Sequence, residues 1–291
     1  MVTFIDNFTQ LPLPFLAVVV FIFALLVGSF LNVVIYRLPI IMERDFRAQA
    51  REILELEAVE EAPFTLTKPR SRCRECQRMV HATENIPVIS YLLMKGRCRG
   101  CGTKISIFYP LVELFTACLA TFVFLHFGAN LQGLCAVFFV FALIALAGVD
   151  LKCQLLPDNI TLPLMWAGIL LGFWQVFLPL ETAVLGAVIA YLSLWSIAQL
   201  FILLFKKEGM GMGDAKLLAA IFAWVHIQYF PMVLVLACVI GVVVTVVQRT
   251  ISGEQMRDNP LPFGPYLALA GLIAMLYGAE ITKAYSRWLM G

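Results

Sequence analysis

The sequence predicts an all-α membrane protein that crosses the bilayer about eight times and carries a zinc knuckle in one cytoplasmic loop. Of its 291 residues, 61% are apolar or aromatic and 14% are charged, and the mean hydropathy is +0.89. Charged residues make up about a quarter of an ordinary soluble domain. The apolar residues occur in long runs rather than in amphipathic stripes. A disordered chain, a disulfide scaffold and a water-soluble enzyme with one core are therefore excluded.

The membrane spans are predicted from the length of the apolar runs, since a helix needs about 20 apolar residues to cross the hydrocarbon core. Eight runs meet this requirement, at 13–36, 105–127, 131–150, 158–178, 181–205, 215–230, 231–248 and 263–281. The sixth and seventh runs join at Phe230-Pro231. The first run is too long for a signal-peptide core, and no Lys or Arg precedes it, so we expect a permanent helix.

The orientation of the spans follows from the polar segment 37–104, which lies between the first two. This segment holds 13 of the 21 Lys and Arg and 9 of the 19 Asp and Glu, a net charge of +4. The positive-inside rule places it in the cytoplasm and the N-terminus on the outer side. Further basic residues fall on joins that alternation assigns to the cytoplasm: Lys152, Lys206, Lys207, Arg249 and Arg257. Lys283 and Arg287, near the C-terminus, disagree with this orientation.

The first part of the polar segment, 42–62, is rich in Glu, Arg, Ala and Leu and contains neither Gly nor Pro. This composition predicts a solvated helix that projects from the first span. We assign no chemistry to it.

Two aspartates are the candidate catalytic residues. Asp150 ends the third predicted span and Asp214 opens the sixth, and alternation puts both at the cytoplasmic face. Carboxylates at the edge of an apolar helix are costly, and they usually face protein or a water-filled cavity. Two like charges close together cannot both ionise easily, so the pair predicts one acid and one base that activate a water molecule.

Each aspartate also has a structural interpretation. Asp150 could be an interfacial charge paired with Lys152. Asp214 follows Gly209-Met210-Gly211-Met212-Gly213, which allows a close backbone approach to a substrate, but its carboxylate could also cap the next helix. The glycine run is not a phosphate loop, because it lacks a Gly-Lys-Ser/Thr ending and no strand precedes it.

Two further carboxylates receive supporting interpretations. Asp158 follows Pro157 and predicts a helix start, where its side-chain oxygen can accept from free N–H groups. Glu113 lies inside the second span and is either functional, or snorkels to the interface, or pairs with Lys104.

Other reaction classes are excluded by the absence of their motifs. The chain has three histidines and neither a His-Glu-x-x-His zinc-protease motif nor a Gly-x-Ser-x-Gly hydrolase motif. An aspartyl mechanism remains. A proton-coupled transporter also remains, since membrane carboxylates can relay protons.

Four cysteines predict a structural zinc site. They form two pairs, separated by 21 residues, in the segment assigned to the cytoplasm: Cys73 and Cys76, and Cys98 and Cys101. Reducing conditions there argue against disulfides, and four thiolates at this spacing suit tetrahedral zinc. The many arginines near the pairs fit the negative charge of a four-thiolate zinc, and anionic lipid headgroups are a competing partner for them.

Several motifs occur in one order along nearly the whole chain. They are the run from Gly28 to Pro39 (Gly-Ser-Phe-Leu-Asn-Val-Val-Ile-Tyr-Arg-Leu-Pro), the two Cys pairs, Leu155-Leu156-Pro157-Asp158 and the Gly-Met-Gly-Met-Gly-Asp run that ends at Asp214. Further matches are Glu84-Asn85-Ile86-Pro87-Val88-Ile89-Ser90, Tyr109-Pro110-Leu111-Val112-Glu113 and Pro262-Phe263-Gly264-Pro265. In these motifs the chain resembles the bacterial type IV prepilin peptidases.

The resemblance implies a bifunctional enzyme of the bacterial inner membrane. Such an enzyme cleaves the leader from type IV prepilins and type II secretion pseudopilins, at a Gly-Phe type bond on the cytoplasmic face. It then methylates the new N-terminal amine with S-adenosylmethionine. The resemblance assigns catalysis to Asp150 and Asp214 and zinc binding to the four loop cysteines. The expected partners are these substrates and the lipid bilayer, with no nucleic acid.

The resemblance also divides the chain into regions. Residues 1–36 form the first membrane helix with a periplasmic N-terminus, 37–104 the cytoplasmic zinc loop associated with methyl transfer, and 105–291 the membrane-embedded aspartyl peptidase domain. Three polar loop residues within family motifs are candidate contacts of the methyl donor: Glu43, Glu84 and Asn85. Surface solvation or a turn is the alternative for all three.

The chain departs from the family's common pattern at three places. Arg74 stands where proline is common, Tyr36 where histidine is frequent, and Ala82-Thr83 replace an aromatic-rich pair. If those aromatic residues hold the methyl donor or the peptide, methyl transfer is the activity affected. A presenilin-like aspartyl protease is the second interpretation, but this chain has Val149 rather than Tyr before its first aspartate and carries a cysteine loop that those enzymes lack.

Overall fold

The computed structural model describes residues 11–57, 62–207, 209–252 and 262–290 of the chain. The described residues are mainly helical, with two isolated β-bridges and no strand among them. Their α-helices are α1 Leu13–Ile53, α2 Ile89–Leu93, α3 Phe108–Phe127, α4 Leu131–Cys153, α5 Asp158–Leu171, α6 Leu180–Phe205, α7 Met212–Phe222, α8 Phe230–Ser252 and α9 Gly264–Met290. Short 3-10 helices occur at Ala82–Asn85, Gly172–Trp174 and Ile227–Tyr229. The predicted all-α fold class is confirmed.

The chain divides into two compact units, Met1–Val137 and Phe138–Gly291, and the division falls inside α4. In the first unit α1 packs along α3. Gly28 permits this close approach, because a Cβ there would lie 2.8 Å from the Cα of Glu113. α1 has 41 residues, which corresponds to a length of about 60 Å and exceeds the roughly 30 Å hydrocarbon core.

The length of α1 explains the projecting helix that the sequence predicts over 42–62. One continuous helix passes through the apolar run and on into the polar segment, where its side chains are mostly exposed. The prediction is confirmed as far as Ile53, where α1 ends. Residues 58–61 of the predicted helix lie outside the described residues.

The second unit is built around the short helix α7, against which α5, α6 and α9 pack. From Ala215 to Phe222 nearly every α7 side chain is fully buried. Small residues on the surrounding helices let them approach this core, because a Cβ at Gly186 would lie 2.5 Å from the carbonyl oxygen of Phe222. Trp224, just after α7, donates from Nε1 to the carbonyl oxygen of Leu164 in α5 at 2.8 Å. α7 is therefore held on several sides by protein.

The predicted number of about eight spans is approximate. Within the described part of the chain, six helices are long and apolar enough to cross a membrane, namely α1, α3, α4, α6, α8 with the turn before it, and α9. α5 and α7 have 14 and 11 residues and are too short. Their apolar runs are longer than the helices, because the runs continue into the turns that follow. Hydropathy measures the apolar character of a segment and does not tell a turn from a helix.

The predicted join between the sixth and seventh runs is also displaced. α7 already ends at Phe222, and α8 begins at Phe230 after a buried turn and a 3-10 helix. The chain therefore changes direction before Phe230-Pro231 rather than at it. Arg257, one of the charges used to predict the orientation, lies outside the described residues.

Candidate active site and cysteine cluster

Asp150 lies in the last turn of α4 and is 4% exposed. Its Oδ2 accepts a hydrogen bond of 2.9 Å from the backbone N–H of Gly264, the first residue of α9. The N–H groups of a first helical turn have no partner within the helix, so they are suited to hold a carboxylate. The contact fixes one oxygen of the buried Asp150 carboxylate at the N-terminus of α9.

Asp214 lies in the first turn of α7 and is half-buried. The neighbouring Gly213 and the Asp150 partner Gly264 both approach Leu156, so the two predicted catalytic aspartates lie at one place in the second unit. Gly211 is the N-cap of α7, and the side chain of Asp214 does not cap it. The alternative interpretation of Asp214 as a helix cap is therefore wrong.

Leu156 forms an apolar wall beside the two carboxylates. A Cβ at Gly213 would lie 3.0 Å from the Cβ of Leu156, and a Cβ at Gly264 would lie 3.1 Å from its Cδ2. The two glycines let α7 and α9 begin next to the segment that follows Asp150. Three chain segments converge here, and the result is a carboxylate pair with an apolar side.

Asp158 begins α5, as the sequence predicts, but its carboxylate does not cap that helix. Both of its oxygens accept hydrogen bonds from the Lys216 ammonium, at 2.8 and 2.7 Å. This partly exposed ion pair joins the start of α5 to α7, one turn from the carboxylate pair. Sequence reasoning missed Lys216, which stands two residues after Asp214 and would be noticed only once α7 is known to be a helix.

The four predicted zinc ligands come together in the first unit. The Sγ atoms of Cys73, Cys76, Cys98 and Cys101 all lie within 4.8 Å of one another, and those of Cys73 and Cys101 are 3.8 Å apart. Four sulfurs arranged tetrahedrally at the usual zinc–sulfur distance of about 2.3 Å are about 3.8 Å apart. The thiols are free rather than joined in disulfides. The cluster fits a tetrahedral metal ion.

The two Cys pairs have the same backbone conformation. In each, the N–H of the first cysteine donates to a carbonyl oxygen five residues later, that of Arg78 or Thr103, at 2.9 Å. The residue after the second cysteine has a positive φ, 56° for Gln77 and 72° for Gly102. A β-bridge closes each turn, and the four thiols of the two turns face one another.

Hydrogen bonds favour the thiolate form that a metal requires at two of the four cysteines. At Cys76 a backbone hydrogen bond with Arg78 lowers the pKa, but burial and the three neighbouring thiols outweigh it and raise the pKa of this thiol to about 11. The Thr103 hydroxyl and backbone lower the pKa of the Cys101 thiol to about 6. Backbone N–H groups of Cys101 and Gly100 lower the pKa of the Cys98 thiol. Cys101 is thus prepared to bind as a thiolate near neutral pH, and the pKa of Cys98 is shifted in the same direction.

Glu84 is buried beside the cysteine cluster. It accepts hydrogen bonds from the Arg78 guanidinium at 2.8 Å and from the His81 backbone N–H at 3.2 Å, and Arg99 lies 3.7 Å away. The hydrogen bond from Arg78 lowers the pKa of the Glu84 carboxyl. Part of the positive charge that surrounds the cysteines is thus neutralised within the protein.

The other candidate donor contacts are exposed. Glu43 lies on α1 and forms an ion pair with Arg47, and Asn85 ends the 3-10 helix that contains Glu84.

Glu113 is buried in α3, so neither snorkelling nor a pairing with Lys104 describes it. Its Oε2 accepts a hydrogen bond of 2.7 Å from the backbone N–H of Val88, and its carboxyl is also hydrogen-bonded to Ser29 of α1. Val88 has a positive φ of 59°, which a β-branched residue rarely adopts. Glu113 therefore holds the polar loop against the helix pair.

Two of the unusual residues of this chain contact each other. The Arg74 guanidinium lies 4.3 Å from the centre of the Tyr36 ring and donates a hydrogen bond of 2.9 Å to the Tyr109 hydroxyl. Arg74 lies between Cys73 and Cys76, while Tyr36 belongs to α1 and Tyr109 to α3. The contacts attach the first cysteine turn to both helices of the first unit.

Replacing Arg74 by Ala is expected to loosen the first cysteine turn. A cation–π contact and one hydrogen bond together contribute roughly 1–2 kcal/mol, which corresponds to about 5–30-fold faster amide exchange over residues 70–80. Hydrogen–deuterium exchange with mass spectrometry measures this change. Arg70→Ala is the control, because Arg70 is exposed and makes no hydrogen bond or ion pair among the described residues. Equal exchange in the two variants would contradict a role for the Arg74 contacts.

The fold and site define a multi-pass membrane protein with a carboxylate pair at helix ends in one unit and a four-thiol cluster in the other. Family models match in both units: the bacterial peptidase A24 N-terminal domain over residues 22–127, and the type IV leader peptidase family over 137–246.

Curated relatives cover nearly the whole chain. A protein of Stutzerimonas stutzeri is 47% identical over 91% of both chains, one of Aeromonas hydrophila is 46% identical over 91% of this chain and 92% of its own, and one of Pseudomonas aeruginosa is 43% identical over 97% of both. All three carry the name prepilin leader peptidase/N-methyltransferase. No solved structure matches. The chain belongs to the type IV leader peptidase family.

Proposed function

We propose that this protein cleaves the leader peptide from type IV prepilins and pseudopilins and then methylates the new N-terminal amine with S-adenosylmethionine. The observation that carries the proposal is the proximity of Asp150 and Asp214 in a member of the type IV leader peptidase family. Relatives over 40% identical and covering at least nine tenths of the chain are named for both activities, which supports assigning both here.

The peptidase step uses the two aspartates as an acid and base pair. With the carboxylates close together, one remains protonated while the other is ionised. The ionised carboxylate takes a proton from a water molecule, which attacks the carbonyl carbon of the Gly-Phe type bond. The protonated carboxyl donates to the forming oxyanion, and the amine leaves with a proton. No covalent intermediate between enzyme and peptide forms.

The surroundings of Asp150 suit this chemistry. The N–H of Gly264 holds Oδ2 in place and leaves Oδ1 to meet the water. Leu156 excludes bulk solvent on one side and provides an apolar surface for the residue at the cleavage site. A prepilin leader is short and basic and precedes an apolar helix, so the bond to be cleaved reaches the enzyme at the membrane interface. The carboxylate pair lies at the end of α4 and the starts of α7 and α9, which the proposed topology assigns to the cytoplasmic membrane interface.

We place the enzyme in the bacterial inner membrane, with the active site and the cysteine loop facing the cytoplasm. The support is the charge of the 37–104 segment, which holds 13 of the 21 Lys and Arg.

The cysteine cluster holds a structural zinc ion in this proposal, with Cys73, Cys76, Cys98 and Cys101 as its ligands. A zinc ion bound by cysteines of both turns would hold the two turns together. The methyl donor binds in the same polar segment, where the exposed Glu43 and Asn85 are the candidate contacts. Glu84 acts differently, because its carboxylate is already engaged by Arg78, and it positions the turn rather than binding the donor.

The test is cleavage of a purified prepilin by the wild-type protein in detergent, with the mass of the product measured at its new N-terminus. We expect a shortened pilin, heavier by one methyl group when S-adenosylmethionine is present. A shortened but unmethylated product would remove the second activity alone. An intact prepilin would contradict the proposal and favour a proton-coupled transporter, which proton flux in vesicles would then reveal.

Replacing Gly264 by Ala is expected to lower cleavage about 10–100-fold and to cost about 1–3 kcal/mol of stability through overpacking. The new Cβ would lie 2.7 Å from Oδ2 of Asp150 and would displace that carboxylate, and a displacement near 1 Å can cost about 100-fold in rate. Rates of prepilin cleavage and thermal unfolding measure the two effects. Gly271→Ala is the matched control on the same helix, because its Cβ would lie 2.7 Å from Ile221 Cγ2, an apolar atom. Equal rates in both variants would contradict the role of Gly264.

A further inference from the structure

A cavity of about 390 Å³ lies in the second unit, at the C-terminal part of α9. It is lined by residues of α9 and of the 3-10 helix before α8: Gln228, Tyr229, Ala279, Thr282, Lys283, Ser286 and Arg287. More of the lining surface is apolar than polar, and the charged groups belong to Lys283 and Arg287. The proposed peptidase and methyl-transfer chemistry uses none of these residues. Lys283 and Arg287 are also the two cations that contradict the predicted orientation of the spans.

Gly278 allows this cavity to form. A Cβ at Gly278 would lie 2.7 Å from Cδ2 of Tyr229, so the Tyr229 ring can rest directly on α9 only because this residue is glycine. The ring forms one wall. Thr282, Lys283 and Ser286 follow at helical spacing on the same side of α9 and form the other.

The lining carries positive charge without a matching carboxylate. Among the described residues neither Lys283 nor Arg287 forms an ion pair with an acidic side chain. The Arg287 Nε donates to the backbone carbonyl of Lys283 at 3.4 Å, which leaves the terminal guanidinium nitrogens for a ligand. The hydroxyls of Thr282 and Ser286 also belong to the lining, and the Ser286 hydroxyl donates to the backbone carbonyl oxygen of Thr282 at 2.9 Å. An ammonium and a guanidinium are groups that bind phosphate.

Aromatic residues indicate the membrane level of the cavity. Tyr285 and Trp288 are 59% and 79% exposed, and their ring centres are 6.3 Å apart. Exposed Tyr and Trp at the end of a membrane helix lie at the headgroup level of the bilayer. α9 has 27 residues and a length of about 40 Å, which exceeds the hydrocarbon core and brings its C-terminal turns to that level.

We propose that this cavity binds a phosphate group, supplied by the headgroup of a phospholipid in the surrounding bilayer. Lys283 and Arg287 bind the phosphate oxygens, and the Tyr229 ring forms the wall of the cavity beside them. The same chemistry would accept a free phosphate ion, so the experiment separates the two sources. The proposal is independent of the peptidase and methyl-transfer functions.

The experiment measures binding to the purified full-length protein in a neutral detergent by isothermal titration calorimetry. The probes are dihexanoylphosphatidylglycerol, inorganic phosphate, and dihexanoylglycerol, which lacks the phosphate. The test variant is Lys283→Gln with Arg287→Gln. The matched control is Lys206→Gln with Lys207→Gln, which removes the same charge from an exposed pair at the end of α6.

We expect the phosphatidylglycerol Kd to rise at least about tenfold in the test variant and to stay unchanged in the control, because two charged hydrogen bonds are lost. Tight binding of phosphatidylglycerol with weak binding of inorganic phosphate identifies the lipid as the source. If inorganic phosphate binds as tightly as phosphatidylglycerol, the cavity is a phosphate site but the lipid is not its specific ligand. Equal Kd values in all proteins, or equal binding of dihexanoylglycerol, overturn the proposal. Prepilin cleavage by the test variant should match the wild type, which shows that the variant is folded.

Discussion

Asp150→Asn and Asp214→Asn are each expected to lower the rate of prepilin cleavage at least about 1,000-fold, because each removes one partner of the acid and base pair. Asparagine has the same shape as aspartate but neither takes a proton from water nor gives one to the oxyanion. Burying a neutral amide costs less than burying a charge, and the amide oxygen introduced by Asp150→Asn can still accept from Gly264, so the variants should fold. The measurement is the initial rate of leader removal at equal amounts of inserted protein.

Asp158→Asn is the control for this experiment. It is the same chemical change in the same unit, but Asp158 is partly exposed and paired with Lys216, and such a pair contributes about 0–1 kcal/mol. Its cleavage rate should stay near that of the wild type. Wild-type rates in both Asp150→Asn and Asp214→Asn would show that the two aspartates are structural rather than catalytic. A loss as large in Asp158→Asn would show that the assay reports folding rather than catalysis.

The sequence predicts the helical class and the positions of most helices, because length and hydropathy are local properties. Its count of about eight spans is approximate, because the runs 158–178 and 215–230 contain described helices of only 14 and 11 residues. At 215–230 the apolar residues are buried by protein, as the fully buried Leu217 and Ile221 of α7 illustrate. At 158–178 Trp166 and Leu170 are exposed, and the difference is that α5 has only 14 residues. Hydropathy reports only that a side chain avoids water. Whether lipid or a neighbouring helix covers it depends on tertiary contacts, which composition does not reveal.

In the candidate sites, the sequence predicts those residues whose chemical type differs from that of the residues around them. Carboxylates at the ends of apolar runs and paired cysteines stand out from their surroundings. The residues that contact them do not stand out in this way. Gly264 acts through a backbone N–H, Lys216 resembles any charge at a membrane edge, and Tyr109 resembles an interfacial aromatic residue. Gly264 is 114 residues from Asp150. Its role becomes visible only when the fold brings the start of α9 to the end of α4.

Cys98→Ser is expected to reduce the zinc content of the purified protein from about one ion per chain to almost none. The buried residues within 62–104 are Glu84, Pro87, Ser90 and Gly96, so this segment has no buried large apolar side chain to stabilise it. In the proposed site, a bound metal ion would supply much of the folding free energy of this segment. Serine cannot replace a thiolate ligand at neutral pH, because its hydroxyl remains protonated. Elemental analysis by mass spectrometry measures the zinc.

The same variant should also lose amide protection over 70–104 and lose methyl transfer, because the donor contacts proposed here belong to that segment. Cys118→Ser is the control, since Cys118 is exposed on α3 and lies outside the four-thiol cluster. It should keep its zinc, its exchange pattern and its methyl transfer. A Cys98→Ser protein with wild-type zinc content would contradict the four-thiolate site. One that loses zinc but keeps full protection would show that the ion pairs of Glu84, rather than the metal, hold the segment together.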